Sequence, residues 1–312
     1  MKVAAIQMNA ILADVFSNLK AAEMLVTEAA HAGAELVVLP EFFTSGIAFD
    51  DKMLHVVSFD TVTQTSLLSL SKKLNVIIGG SYLTFHSGKA LNTFQLVFPN
   101  GDIFTHSKDI PTQFENCYYT NGDEDNILHT PIGDIGVALC WEMIRYDTVK
   151  RLFGKVNFVL TGACWWDLPD DAPSKYQPLR EYNQNLARNT PITFAQLLNV
   201  PVVHANHCSK FTAHHFPQTD RLQTRQMVGA AQIINGNGEV LARRTFDQGE
   251  GFVMSNIQTE NHSQAEAPRQ TERYWIPDLP QSYLSAWERY NPLGKEYYRA
   301  VSLPYYQSHC AK

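Results

Sequence analysis

Along the chain, short runs of β-branched and aliphatic residues alternate with stretches whose apolar positions recur every three or four residues, the pattern of an α/β protein. The runs predict strands over 3–7, 35–39, 76–79, 95–98, 135–139, 156–161, 200–205, 232–234 and 252–254. Between the first two strands, Leu19, Ala22, Val26 and Ala29 step along one helical face that stops at Gly33. Val149, Leu152 and Phe153 mark a second helix, with Asp147 as its expected cap and Gly154 as its end.

Two turn signals divide this pattern into similar parts. Asn100-Gly101 separates 95–98 from Ile103-Phe104, and Asn237-Gly238 separates 232–234 from Val240-Leu241, each the dipeptide that a tight hairpin needs. Each hairpin follows a strand, and before that a helix and another strand, so the chain reads as a duplicated α/β unit. Two sheets, each covered by helices on one face, bury their bare faces together. The expected architecture is a four-layer α-β-β-α sandwich built from two similar halves. This domain is expected to span 1–258. From 259 to 312 the periodicity is lost and aromatics and prolines accumulate, among them Tyr274, Trp275, Pro277, Trp287, Tyr290, Tyr297 and Tyr298. That segment reads as an extended carboxy-terminal tail packed on the domain or on a neighbouring subunit, which makes a homo-oligomer expected.

Composition narrows the function. The 312 residues are 45% hydrophobic, enough for a large core. A formal charge of -6, with lysines and arginines scattered, offers no field for nucleic acid. No apolar run approaches the roughly 20 residues that span a bilayer, and the opening MKVAAIQMNA carries no cleavage-type segment, so a soluble, cytoplasmic protein without a membrane partner is expected. Five cysteines, at 117, 140, 164, 208 and 310, form no CxxC pair and are expected as free thiols. His204, His207 and Cys208, with His214 and His215 beyond, lack a metal-site spacing. They are read as a loop lining a pocket, and neither metal nor organic cofactor is expected.

Three residues at strand ends carry the candidate chemistry. Cys140 follows the apolar run 135–139, Glu41 follows the interior strand and Pro40, and Lys108 follows the return strand of the first hairpin. Each alone has an ordinary reading: a buried thiol, a capping carboxylate, a solvated edge charge. Together they are complementary, as a base to take the thiol proton, a sulfur to attack an electrophilic carbon, and a cation to hold the charge that forms.

Glu41 within LPEFFTSG, Lys108 within KDIPTQFENCYY and Cys140 within GVALCWE resemble, in order and spacing, the Glu-Lys-Cys signature of the nitrilase superfamily of carbon–nitrogen hydrolases. CWE and the KxxPTxxE pattern resemble its nitrilase branch, whereas PEFFTSG leans toward the other branches. The resemblance implies that Glu115 is a second glutamate orienting the lysine and substrate, and that Trp165 and Trp166 contact substrate. Paired aromatics suit an apolar or planar group. Trp141, through its backbone N–H, Tyr119 and Glu142 are further candidates at the pocket. It also implies hydrolysis of a small-molecule amide or nitrile through a Cys140 thioester. The alternatives are acyl transfer from the same thioester and a non-enzymatic binding member of the fold.

Overall fold

A computed structural model describes residues 1–123, 125–214, 216, 221–259 and 279–310. Its elements run β1 Lys2–Met8, α1 Val15–His31, β2 Leu36–Val38, α2 Met53–Val56, α3 Asp60–Leu74, β3 Ile77–His86, β4 Lys89–Val97, β5 Ile103–Ser107, β6 Ile127–Thr130, β7 Gly133–Val137, α4 Tyr146–Leu152 and β8 Phe158–Ala163. They continue with α5 Gln177–Leu198, β9 Val202–His207, β10 Lys210–His214, β11 Leu222–Gln226, β12 Gln232–Ile234, β13 Val240–Arg243, β14 Gly251–Asn256, α6 Gln281–Tyr297 and α7 Leu303–His309.

Alternation along the strands explains the layers. Val3 and Ala5 of β1, with Leu36 and Val38 of β2, share a core with Val137 of β7, Leu160 of β8 and Val203 of β9. The intervening Ala4, Ile6 and Val37 face the opposite way, onto Ala22 and Val26 of α1 and Leu67 of α3. In the second half Val159 and Val202 turn outward onto Val149 and Leu152 of α4 and Phe194 of α5. A period of two, buried on both faces, thus yields one core between the sheets and one under each helix pair, the four-layer sandwich.

Pairing confirms the duplication. β1, β2 and β3 are parallel neighbours, and β3, β4 and β5 continue antiparallel. β7, β8 and β9 are likewise parallel, and β9, β12 and β13 continue antiparallel. β1 meets β9 at Gln7–Asn206 and Met8–His207, joining the two halves. β1, β2, β3, β5, β7, β8 and β9 therefore all point their carboxyl ends to one edge of the molecule, where a crevice is expected.

The structure departs from the sequence expectations in several elements. β6, β10 and β11 were not anticipated. β6 is a short edge, and the β10–β11 ribbon has polar residues such as Lys210, Thr212, Gln223 and Thr224 on a pair that stands outside the main sheet. Asp147 is not a cap, because α4 starts one residue earlier, at Tyr146. His204 and His207 lie on β9 rather than in a loop.

The described part of the tail is helical, not extended. Trp287 and Tyr298 are buried against the chain's own body, one of the two packings expected for the tail. Tyr274, Trp275 and Pro277 lie outside the described residues, as does His215. No helix among the described residues is long and apolar enough to cross a membrane.

Candidate active site

Glu41, Lys108 and Cys140 come together at the carboxyl edge. Glu41 follows β2, Lys108 follows β5, Cys140 follows β7, and all three are buried. The Lys108 ammonium donates to Glu41 Oε1 at 2.8 Å and to Glu115 Oε2 at 2.9 Å. Asn92 Nδ2 also donates to Glu41 Oε1, at 2.9 Å, and the backbone N–H of Cys164 donates to Oε2 at 3.1 Å. His207 Nε2 lies 2.7 Å from the Glu41 backbone carbonyl, as its donor. The Glu41 carboxylate is thereby fixed from β4, β5 and β8, elements of both halves.

Backbone strain gathers at the same place. Cys140, Phe42 and Gln113 have φ of +50°, +54° and +52°, conformations that non-glycine residues adopt at a cost of roughly 1–2 kcal/mol each. All three are within two residues of a charged or nucleophilic side chain of the cluster. The cluster also needs close backbone approach: a Cβ on Gly162, near the end of β8, would stand 2.6 Å from the Glu41 nitrogen.

The electrostatics follow from burial and neighbours. Burial raises the Glu41 pKa to about 7 even though Lys108 pulls it down. Burial opposes the Lys108 charge, but Glu115 and Glu41 outweigh it and hold the amine well above its usual value. Burial and then the Glu41 carboxylate push the Cys140 thiol up, and Lys108 partly offsets them. At rest, then, a protonated thiol stands beside a carboxylate poised near neutrality and a permanent cation.

The group opens onto a cavity of about 290 Å³ walled by Cys140, Glu115, Trp141, Trp165, Trp166 and Phe114. Glu41 and Lys108 do not line it; they act from behind Cys140 and Glu115. Trp165 and Trp166 both reach the cavity. Trp166 packs 4.3 Å from Phe114 by ring centroids and lies under Arg225 of β11. Trp165 donates its indole N–H to Asn183 Oδ1 at 3.1 Å, and Asn183 Nδ2 donates to the Trp166 carbonyl at 2.7 Å.

Two expected pocket residues fall elsewhere. Tyr119 is buried behind Glu115, where its hydroxyl donates to Glu115 Oε2, so it holds that carboxylate rather than a substrate. Glu142 points away from the cavity. It accepts from the backbone N–H of Leu139 at 2.7 Å and of Asp109 at 2.8 Å, with His106 Nε2 at 3.1 Å. Burial opposes its charge, yet His106 and Arg145 outweigh it and keep the carboxyl well below the usual range. It is a brace between the Cys140 turn and the Lys108 segment.

Asn92 and Asn183 leave little trace in the sequence, because a lone amide within a strand or helix has no local pattern. His204 and His207 do not wall the cavity; both are buried, and burial depresses their pKa values to about 3 and about 4. Among the described residues no group of three or more His, Cys, Asp or Glu side chains is placed to hold a metal ion.

The carbon-nitrogen hydrolase family model matches residues 2–267. An omega-amidase of Xenopus tropicalis is 29% identical over 174 residues, 48% of this chain and 62% of that protein. Nitrilase 3 of Arabidopsis thaliana is 30% identical over 165 residues, 45% of this chain and 47% of that one. The chain thus spans less than two thirds of the length of these relatives. A carbon-nitrogen hydrolase from Helicobacter pylori shares the fold with a TM-score of 0.69 at 16% identity, over 82% of this chain and 88% of that one. An amidase from Nesterenkonia sp., carrying acrylamide added to its active-site cysteine, aligns with a TM-score of 0.64 at 15% identity, over 84% and 94%.

Proposed function

Because this chain belongs to the carbon–nitrogen hydrolase family, we propose that it hydrolyses a non-peptide carbon–nitrogen bond of a small linear amide or nitrile through a thioester on Cys140. The observation that carries this reading is the buried Glu41–Lys108–Glu115 chain of 2.8 Å and 2.9 Å contacts set directly behind a strained cysteine at the wall of an aromatic cavity. A lysine and two carboxylates are costly to bury and have no packing role that apolar side chains would not serve better.

For an amide, the Cys140 sulfur attacks the carbonyl carbon as its proton passes to Glu41, and the oxygen takes on negative charge. The raised thiol pKa favours this joint transfer over a standing thiolate. The Trp141 backbone N–H donates to the oxyanion, and the Lys108 charge, held just behind the Cys140 wall, stabilises it through space. Glu41 then returns the proton to the departing nitrogen, the C–N bond breaks, and a thioester is left. Water attacks the thioester as Glu41 takes its proton, and the carboxylic acid leaves as sulfur is reprotonated. Glu115, fixed by Tyr119 and the Thr112 backbone N–H, holds Lys108 in place.

The test is ammonia release from a panel of linear amides, nitriles and N-carbamoyl compounds by the wild-type chain and by Cys140→Ala. Cysteine-dependent release from one class supports the reading and selects the substrate type. Release that survives in the variant, or none from any class, overturns it.

A further inference from the structure

The family match ends at residue 267, yet one wall of the cavity comes from α6, which begins at Gln281. Ser282, Tyr283 and Ala286 line the same space as Cys140. Trp287 stacks on Trp141, the residue after the nucleophile, with ring centroids 5.6 Å apart and planes at 15°. The Tyr283 hydroxyl donates to Asn183 Oδ1 at 3.0 Å, the same oxygen that fixes Trp165.

Farther along, Asn291 Oδ1 accepts from the Gln113 backbone N–H at 2.9 Å, beside Glu115. Gly294 sits so close to this segment that a Cβ there would lie 2.7 Å from Asn116. The helix is thus keyed to both sides of the cavity, to the turn after Cys140 and to the segment that carries Glu115.

We propose that α6 is a specificity-determining wall of the acyl pocket, and that the pocket takes amides whose acyl chain ends in a flat ring. Three observations and one general rule of ring contacts carry the ring. The cavity is small, at the lower end of the roughly 300–1,000 Å³ of small-molecule sites. Its lining includes the rings of Trp141, Trp165, Phe114, Trp166 and Tyr283. Offset or edge contacts between rings add about 0.5–1.5 kcal/mol each beyond burial. Lastly, Ser282 and Ala286, small residues one turn apart, leave the space on the helical side open. The proposal rests on the hydrolytic reading for its substrate and on the cavity alone for its wall.

The test fills that space in the full chain with Ala286→Phe and, at the exposed rim where folding is not at stake, Ser282→Trp. Rates of Cys140 alkylation by iodoacetamide and by N-phenyl iodoacetamide are followed by peptide mass spectrometry. The ratio of the N-phenyl rate to the iodoacetamide rate is expected to fall roughly tenfold or more, the scale on which crowding a pocket discriminates between ligands. The ratio of kcat/KM for phenylacetamide over acetamide falls in parallel. An unchanged alkylation ratio in the folded variants, or equal loss of both rates, overturns the proposal. Absence of turnover on every amide by a wild-type chain whose Cys140 still alkylates sinks the hydrolytic reading instead, and the alkylation ratio still decides the wall.

Discussion

Glu41 and Cys140 have unusual acid–base properties for the same reason: both are buried, and among the described residues Lys108 is the cation that partly offsets that burial. Replacing Cys140 by Ala removes the attacking atom and little volume, so turnover is expected to vanish while the melting temperature stays near wild type. Glu41 must be ionised to accept the thiol proton, and its pKa is about 7. Below that pH it holds its own proton and cannot act, so kcat/KM is expected to rise with pH through about 7. A profile flat from pH 5.5 to 8.5 assigns the base elsewhere. Lys108→Met takes a charge from the developing oxyanion and leaves Glu41 and Glu115 facing one another, so kcat is expected to fall at least about 10²–10³-fold. Alkylation of Cys140 by iodoacetamide is expected to slow in the same variant, since the thiolate loses its cation. Rates near wild type in both measurements return Lys108 to an ordinary ion pair.

At the scale of elements, the site depends on how closely the end of β8 approaches the turn after β2. Gly162→Ala puts a methyl group against the Glu41 backbone nitrogen, which cannot yield as a flexible side-chain tip can. The variant is expected to lose activity through misplacement of Glu41, by about 10²-fold for a shift near 1 Å. Its kcat falls more than its KM rises; the reverse pattern rules out this positioning role. Glu142 works at the same scale, tying the Leu139 N–H to the Asp109 N–H across two connections. Glu142→Gln leaves one of these amides without its acceptor and is expected to cost about 1–3 kcal/mol, read from the denaturant midpoint.

For the whole molecule, acid sensitivity is written into two buried imidazoles of β9. His204 and His207 titrate near 3 and 4 when folded but at 6.5 in an ordinary setting. As pH falls below 6.5 the unfolded chain takes up protons that the folded chain refuses, so stability rises with pH from about 4 to 6.5 and is lost on acidification. Glu41 works the other way between 4.5 and about 7, because there the folded chain holds the proton more tightly. Two imidazoles outweigh one carboxyl, and the melting temperature is expected to fall from pH 7 to 5. A level value over that range shows that both imidazoles accept protons in the folded state.

Period-two alternation and two Asn-Gly turns were enough to indicate the two-fold α/β plan, strand-end position drew notice to Glu41, Lys108 and Cys140, and the family resemblance added Glu115. These are local signals: a strand buried on both faces must be apolar throughout, and a charge at its mouth is conspicuous. The helices of the tail were missed because α6 buries Trp287 and Gly294 on a surface made elsewhere and carries Pro292 inside it, which blurs its period. Glu142 and Tyr119 were assigned to the pocket because adjacency in sequence does not fix which way a side chain turns once the backbone bends at Cys140. Asn92 and Asn183 were invisible, and His207 was misplaced on a pocket loop, for the converse reason, since their partners lie 51, 17 and 166 residues away. The layers and the candidate reacting groups were legible in the chain, because hydrophobic periodicity and a charge at a strand end are properties of short segments. Only the tertiary structure decided which groups face the cavity and which brace it, because that depends on contacts between distant segments.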